Sequence, residues 1–291
     1  MPDIFLNNER LQVKILQPGS RYKGNRFDWC GIVADVLLDQ TYSFLGEEPV
    51  IDGESTAGTG LINCFELVNG AEYITTAGNK SFPRMGVGLL KKKDRSPFSS
   101  YSHYEIHPAP MQYTASETEV TFITSPIPCN GYAFEIRKKL YIINNTLFTH
   151  YCVCNTGEKA LVFEEFNHNF FQFNEFSVGP DYIFSTPYAI SLQTWRGEFR
   201  TERFGVRIHQ PETVFYAGVE GFPGGLRPHR FTLFHEPSGM GCCEELDAPV
   251  SKVVLWGNEG VFCPEVTASL GVMPGHQVEW TRKLTFFKKS H

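Results

Sequence analysis

Long apolar runs are the first thing this 291-residue sequence lacks. No stretch approaches the ~20 apolar residues of a membrane-spanning helix. The opening MPDIFLNNERLQVKI carries charge throughout, unlike a secretory or transit leader. The expectation is a soluble, cytoplasmic protein without a membrane partner.

A basic surplus is missing too. The chain has 26 Lys and Arg against 32 Asp and Glu, for a net charge of −6. That balance excludes the broad cationic face that nucleic-acid binding needs. The one dense basic run, Lys91-Lys92-Lys93, is followed at once by Asp94 and Arg95 and reads as a solvated turn.

Among the eight cysteines there is no CxxC pair, so no zinc site is expected. Without an export signal, a disulfide framework is not expected either. Most of the thiols have strand-like apolar neighbours, as buried cysteines do. Cys152 and Cys154 flank Val153 and so share one side of a strand. His229 and His235 lack a convincing ligand geometry for a metal. Neither a Pro/Ser-rich linker nor a low-complexity tract nor a short repeat divides the chain, which reads as one domain over residues 1–291.

Helical periodicity is also scarce. Only GLINCFELV, from Gly60 to Val68, suggests a short helix. What the sequence has in abundance is aromatic residues, with 25 Phe and 12 Tyr. Together with Thr, Val and Ile they favour pleated, half-buried strands. Alternating runs such as LQVKIL, EVTFIT, ETVFYAGV, RFTLFHE and EWTRKLTFF recur, separated by turn signals such as PCNGY, NNT, NTGEK, FPGG and EPSGMG. A strand every ~8–12 residues is the pattern of an all-β antiparallel sandwich or barrel. The NNT at Asn144–Thr146 matches a glycosylation sequon and reads here as a hairpin turn.

Two segments carry candidate chemistry. In FEEFNHNFFQFNEF, a strand delivers Asn167-His168-Asn169 at its end, among phenylalanines. The residues alone allow two readings: a core histidine satisfied by a backbone group, or an imidazole in an apolar-walled cleft, tuned for proton transfer. Asn167 or Asn169 could then fix the ring tautomer. In VFCPEVTASLGVMPGHQVEW, Glu265 reads as the end of a strand, followed by a loop, the turn Pro274-Gly275 and a closing strand. It is either an exposed turn glutamate or a carboxylate aimed into a site.

In their order along the chain, NTGEKALVFEEFNHNFFQFN and VFCPEVTASLGVMPGHQVEW resemble the corresponding segments of the galactose mutarotase (aldose 1-epimerase) superfamily. The first matches an Asn-Thr-Gly turn, a strand and an Asn-His-x-aromatic motif. The second matches a Glu at a strand end, then Pro-Gly and a final strand. The resemblance runs from about Gly131 to the C-terminus.

It implies a large antiparallel β-supersandwich with a sugar cleft on one sheet. It also implies a small-molecule sugar as partner, no metal and no cofactor, and a monomer or homodimer. His168 would be the general acid and Glu265 the general base of an isomerase that opens and closes a hemiacetal ring. The two should then face each other across one cleft, at a sugar ring's separation. An upstream arginine, Arg84 or Arg26, and a histidine, His103 or His107, would hold sugar hydroxyls. Asp28, set to share a strand face with Arg26, and Asn167 join that group.

The superfamily's usual His-Gly motif is missing, and Lys91 or Lys92 stands near its place. Glu220 and Glu236 are candidates for a further acidic contact. A carbohydrate-binding protein without catalysis and a sugar-phosphate epimerase are the competing readings.

Overall fold

The computed structural model describes residues 3–48, 58–78, 80–94, 96–209, 214–222 and 228–289. Two ten-stranded sheets and one three-stranded sheet are built from them, and every strand pairing within the sheets is antiparallel. The large all-β antiparallel sandwich expected from the sequence is the fold observed.

Local sequence explains the hairpins. At PCNGY, Asn130 and Gly131 both adopt positive φ (54° and 81°), the backbone that a tight hairpin turn demands and that Asn-Gly supplies. At NNT, Asn144 has φ 52° and joins strand Phe134–Ile143 to strand Thr146–Asn155. The FPGG turn lies outside the described residues beyond Phe222.

In the first sheet, strand Leu161–Asn169 lies between Leu61–Leu67 and Phe262–Val272, and the path continues through Val250–Gly257 and Phe215–Glu220 to Ser191–Arg196. In the second, Gln277–Lys288 lies between Met240–Leu246 and Thr146–Asn155. Side chains from both sheets meet between them: Phe163 and Phe65 approach Trp280, with ring centroids 6.0 and 6.4 Å away. Strand residues of odd number from Leu161 to Asn169 face this interior, and those of even number face away from it, as a period of two requires.

Three local expectations change. The Gly60–Val68 stretch is no helix; Leu61–Leu67 is a central strand, and the short helix comes later, at Ala71–Ile74. A strand covered on both faces reads as a continuous apolar run, which periodicity cannot tell from a buried helix. Lys92 is buried: its Nζ donates to the Tyr73 carbonyl at 2.8 Å and sits 4.1 Å from the Tyr73 ring centroid, so the basic run is not a solvated turn throughout. Glu265 does not end a strand, for Phe262–Val272 continues through it to the Met273 turn.

The strand around Glu265 has an irregularity that shapes the site. Its ladder to Leu161–Asn169 runs from Leu161↔Val272 to Phe166↔Thr267, then stops, and the two chains meet again only at the bridge Phe171↔Phe262. Pro264, which has no N–H to donate, falls in this opening. The carbonyl of Val266 there accepts from Arg282 Nη2 at 2.7 Å.

Candidate active site

His168 comes from the end of strand Leu161–Asn169 and Glu265 from the neighbouring strand, both on the outward face of the first sheet. Together they line a cleft of about 580 Å³. His168 Nε2 stands 3.1 Å from Glu265 Oε1. The expected shared cleft is there, but the pair is in contact and no sugar ring could lie between the two groups.

Apolar rings hold the imidazole. It stacks on Phe170 (centroids 4.6 Å apart, 26° between planes) and meets Trp256 and Phe27 edge-on at 5.2 and 5.8 Å. Burial, then the nearby Arg26 charge, holds His168 well below the usual imidazole range. Burial pushes the Glu265 carboxyl up to about 7, against the pull of Arg26 and Lys252. Both shifts favour the uncharged forms, as desolvation dictates. Of the two groups, Glu265 therefore holds a proton more tightly than His168, the reverse of the expected acid and base. The two arrangements are tautomers related by one transfer across the 3.1 Å gap.

Arg26 reaches the cleft from an irregular segment ahead of strand Val33–Leu38. Its guanidinium lies 4.6 Å from the Phe27 ring centroid and 5.0 Å from that of Tyr101, and its Nη1 stands 3.4 Å from Glu48 Oε2. On the far side, Trp195 and Tyr216 pack together at 4.6 Å from neighbouring strands. Trp195 lies close over Gly218, where a Cβ would come within 2.8 Å of the indole.

Several sequence candidates lie elsewhere. Asp28 is not on a strand with Arg26; it is buried and pairs with Lys138 Nζ at 3.3 Å, while Lys138 also donates to Asn63 Oδ1 at 2.5 Å. Arg84 is buried behind the cleft, donating to the carbonyls of Asn25 (3.0 Å) and Arg26 (3.1 Å). His103 and His107 are exposed and do not line the cleft.

Asn167 faces the sandwich interior, where its Nδ2 donates to Glu244 Oε1 at 3.4 Å; Asn169 Nδ2 donates to Glu244 Oε2 at 3.1 Å. Neither asparagine orients His168, because neighbouring strand residues point to opposite faces. The phenylalanines divide in the same way. Phe166 lines the cleft and Phe170 backs His168, whereas Phe163, Phe171 and Phe173 belong to the sandwich core. Lys92 is held at Tyr73, Glu236 pairs with Arg207 at 3.0 Å, and Glu220 is exposed away from the cleft. His235 stacks on Phe176 at 4.7 Å, and no group of three metal-ligating side chains occurs among the described residues.

The sequence reading missed Glu66, Glu164, Trp195, Tyr216, Lys252 and Trp256, all of which line the cleft. One signal was available: Glu164 and Phe166 stand at two-residue intervals before His168 and so share its face. Glu66, which pairs with Glu164 across the ladder, and the other four depend on strand order in the sheet.

No protein-family profile matches the chain, and no curated protein does. Solved structures do. A galactose mutarotase related enzyme from Lactobacillus acidophilus aligns with a TM-score of 0.63 at 13% identity, over 99% of this chain and 98% of that one. A galactose mutarotase-like protein from Lactobacillus casei aligns with a TM-score of 0.59 at 13% identity, over 98% and 100%. A GalM/aldose epimerase homologue from C. elegans aligns with a TM-score of 0.56 at 10% identity, over 99% and 100%. At these identities the likeness is one of fold.

Proposed function

We propose that this chain, built on a galactose mutarotase-like fold, is a carbohydrate epimerase that interconverts the anomers of a free aldose. The observation that carries the reading is the 3.1 Å contact between His168 and Glu265 in an aromatic-walled cleft. Mutarotation removes a proton from the anomeric hydroxyl and adds one to the ring oxygen. Those two oxygens share one carbon, so the acid and the base must stand a few ångström apart and not a ring's width.

One carbon–oxygen bond breaks, the aldehyde turns about its bond to the next carbon, and the same pair closes the ring from the other face. Holding one transferable proton, the pair can act in both directions. Glu265 gives its proton to the ring oxygen while neutral His168 takes one from the hydroxyl. The other tautomer, with His168 as acid and Glu265 as base, serves the reverse passage. Trp256, Trp195 and Tyr216 offer apolar faces to the sugar's C–H surface.

The test is the rate of anomer exchange for a panel of aldoses, followed by polarimetry or NMR. His168→Ala and Glu265→Gln should each lower it by ~10²–10⁴-fold. Full activity in either variant sinks the assignment.

A second reading keeps the cleft without catalysis. It draws on His168 being the one histidine that lines the cleft among the described residues. Sugar binding seen by calorimetry, with unchanged anomer exchange, would favour it.

A further inference from the structure

A second hollow, of about 330 Å³, adjoins the cleft and shares Glu66 and Glu164 with it. These two carboxylates stand directly opposite each other on neighbouring strands. Like charges so placed repel. One cation is near: Arg84 Nη2 lies 3.5 Å from Glu66 Oε1, but its guanidinium also serves the Asn25 and Arg26 carbonyls.

Glu72, from the short helix Ala71–Ile74, also lines this hollow. It is 5% exposed, and its Oε2 is buried without a hydrogen-bond partner. A buried acceptor left unmatched carries a desolvation penalty that a ligand donor would relieve. Phe98 supplies an apolar wall beneath Arg84, whose guanidinium carbon is 5.3 Å from the ring centroid.

The hollow is therefore rich in acceptors, poor in free donors and hostile to anions. Its occupant must bring hydrogen-bond donors, carry no negative charge and present an apolar face. Because the two hollows adjoin at Glu66 and Glu164, one ligand can span both.

We propose that the second hollow binds a neutral second sugar ring, so that the ligand is a reducing disaccharide or longer saccharide. Its reducing ring lies at His168 and Glu265. The hydroxyls of the next ring donate to Glu72, Glu66 and Glu164, and one ring face rests against Phe98. This rests on the epimerase reading for the first ring only.

The experiment compares glucose with lactose, maltose and cellobiose, each of which has glucose as its reducing ring, in anomer exchange by wild type, Glu72→Ala and Val68→Phe. Val68 lines the hollow, so phenylalanine there fills it. Wild type should show a higher kcat/KM for at least one disaccharide than for its hexose. Glu72→Ala should raise the disaccharide KM about tenfold or more, the scale of a lost hydrogen bond to a charged group, and Val68→Phe should raise it at least as far by occluding the hollow. The hexose kcat/KM should stay within about twofold.

Equal losses for hexose and disaccharide in a folded variant, or hexose preference in every wild-type pair, overturn the proposal. If wild type exchanges no sugar, the epimerase reading fails and calorimetry decides the hollow separately. Tighter disaccharide binding that is lost in Glu72→Ala supports it; equal or absent binding overturns it.

Discussion

Asn167 and His168 are neighbours in the chain and face opposite sides of one sheet. Asn167 Nδ2 donates to Glu244 inside the sandwich at 3.4 Å, while His168 Nε2 meets Glu265 in the cleft at 3.1 Å. Structure and chemistry thus separate at a single peptide bond, and they can be tested apart.

Asn167→Ala should act on stability. It removes a donor from the buried Glu244 carboxylate and should cost ~1–3 kcal/mol in urea unfolding. The KM for any accepted sugar should stay within about twofold. A large KM rise with unchanged stability would mean that Asn167 reaches the substrate.

Arg282→Met should be far more damaging. Arg282 donates to Glu165 at 2.8 Å and to Glu244 at 2.6 Å, and all three side chains are buried. Without the guanidinium two carboxylates remain in the interior. Removing one partner of a buried ion pair costs ~3–5 kcal/mol, to be read from the denaturation midpoint. A loss below ~1 kcal/mol, within the range of exposed pairs, would contradict the burial of this triad.

Anomer exchange should fall on the alkaline side of about pH 7, where Glu265 loses its proton and the pair has none to transfer. On the acid side the limb should lie well below 6.5, because His168 resists protonation. A kcat/KM profile across this range checks both limbs. An alkaline limb set near 10 would assign the proton to another group.

Arg26→Met should move both limbs to higher pH. Arg26 lowers the affinity of His168 and of Glu265 for protons, so its removal raises both. The sign follows from charge alone: a nearby cation disfavours the protonated form of either group. Limbs that stay in place in a folded variant would remove Arg26 from the electrostatics of the pair.

His168→Ala combined with Glu265→Gln should lose little more activity than the worse single variant. Groups that act as one unit are not additive. Multiplicative losses would show two independent roles.

Much of this was legible in the chain. Alternating aromatic and β-branched runs with Asn-Gly turns specify antiparallel strands, because side-chain period and turn chemistry are local properties. The strand ending in Asn167-His168-Asn169 is where the sequence places it. Period two also implies that the asparagines cannot share the face of His168. The double-sided burial of Leu61–Leu67 hid a strand behind an apolar run, and Pro264 suggested a strand end where an opening in the ladder accommodates it.

By itself the sequence determined an all-β antiparallel chain, its hairpins and the two segments that carry His168 and Glu265. Only the tertiary structure decided that those segments become neighbouring strands, bringing the imidazole and the carboxylate into contact. It alone decided that Asp28 turns to Lys138 and away from the cleft, that Trp195, Tyr216 and Trp256 reach one face, and that Glu66 and Glu164 stand side by side between two hollows. The reason is physical. Alternation is set within a few residues, whereas strand order and burial are set by pairings between distant segments, and burial is what lowers the proton affinity of His168 and raises that of Glu265.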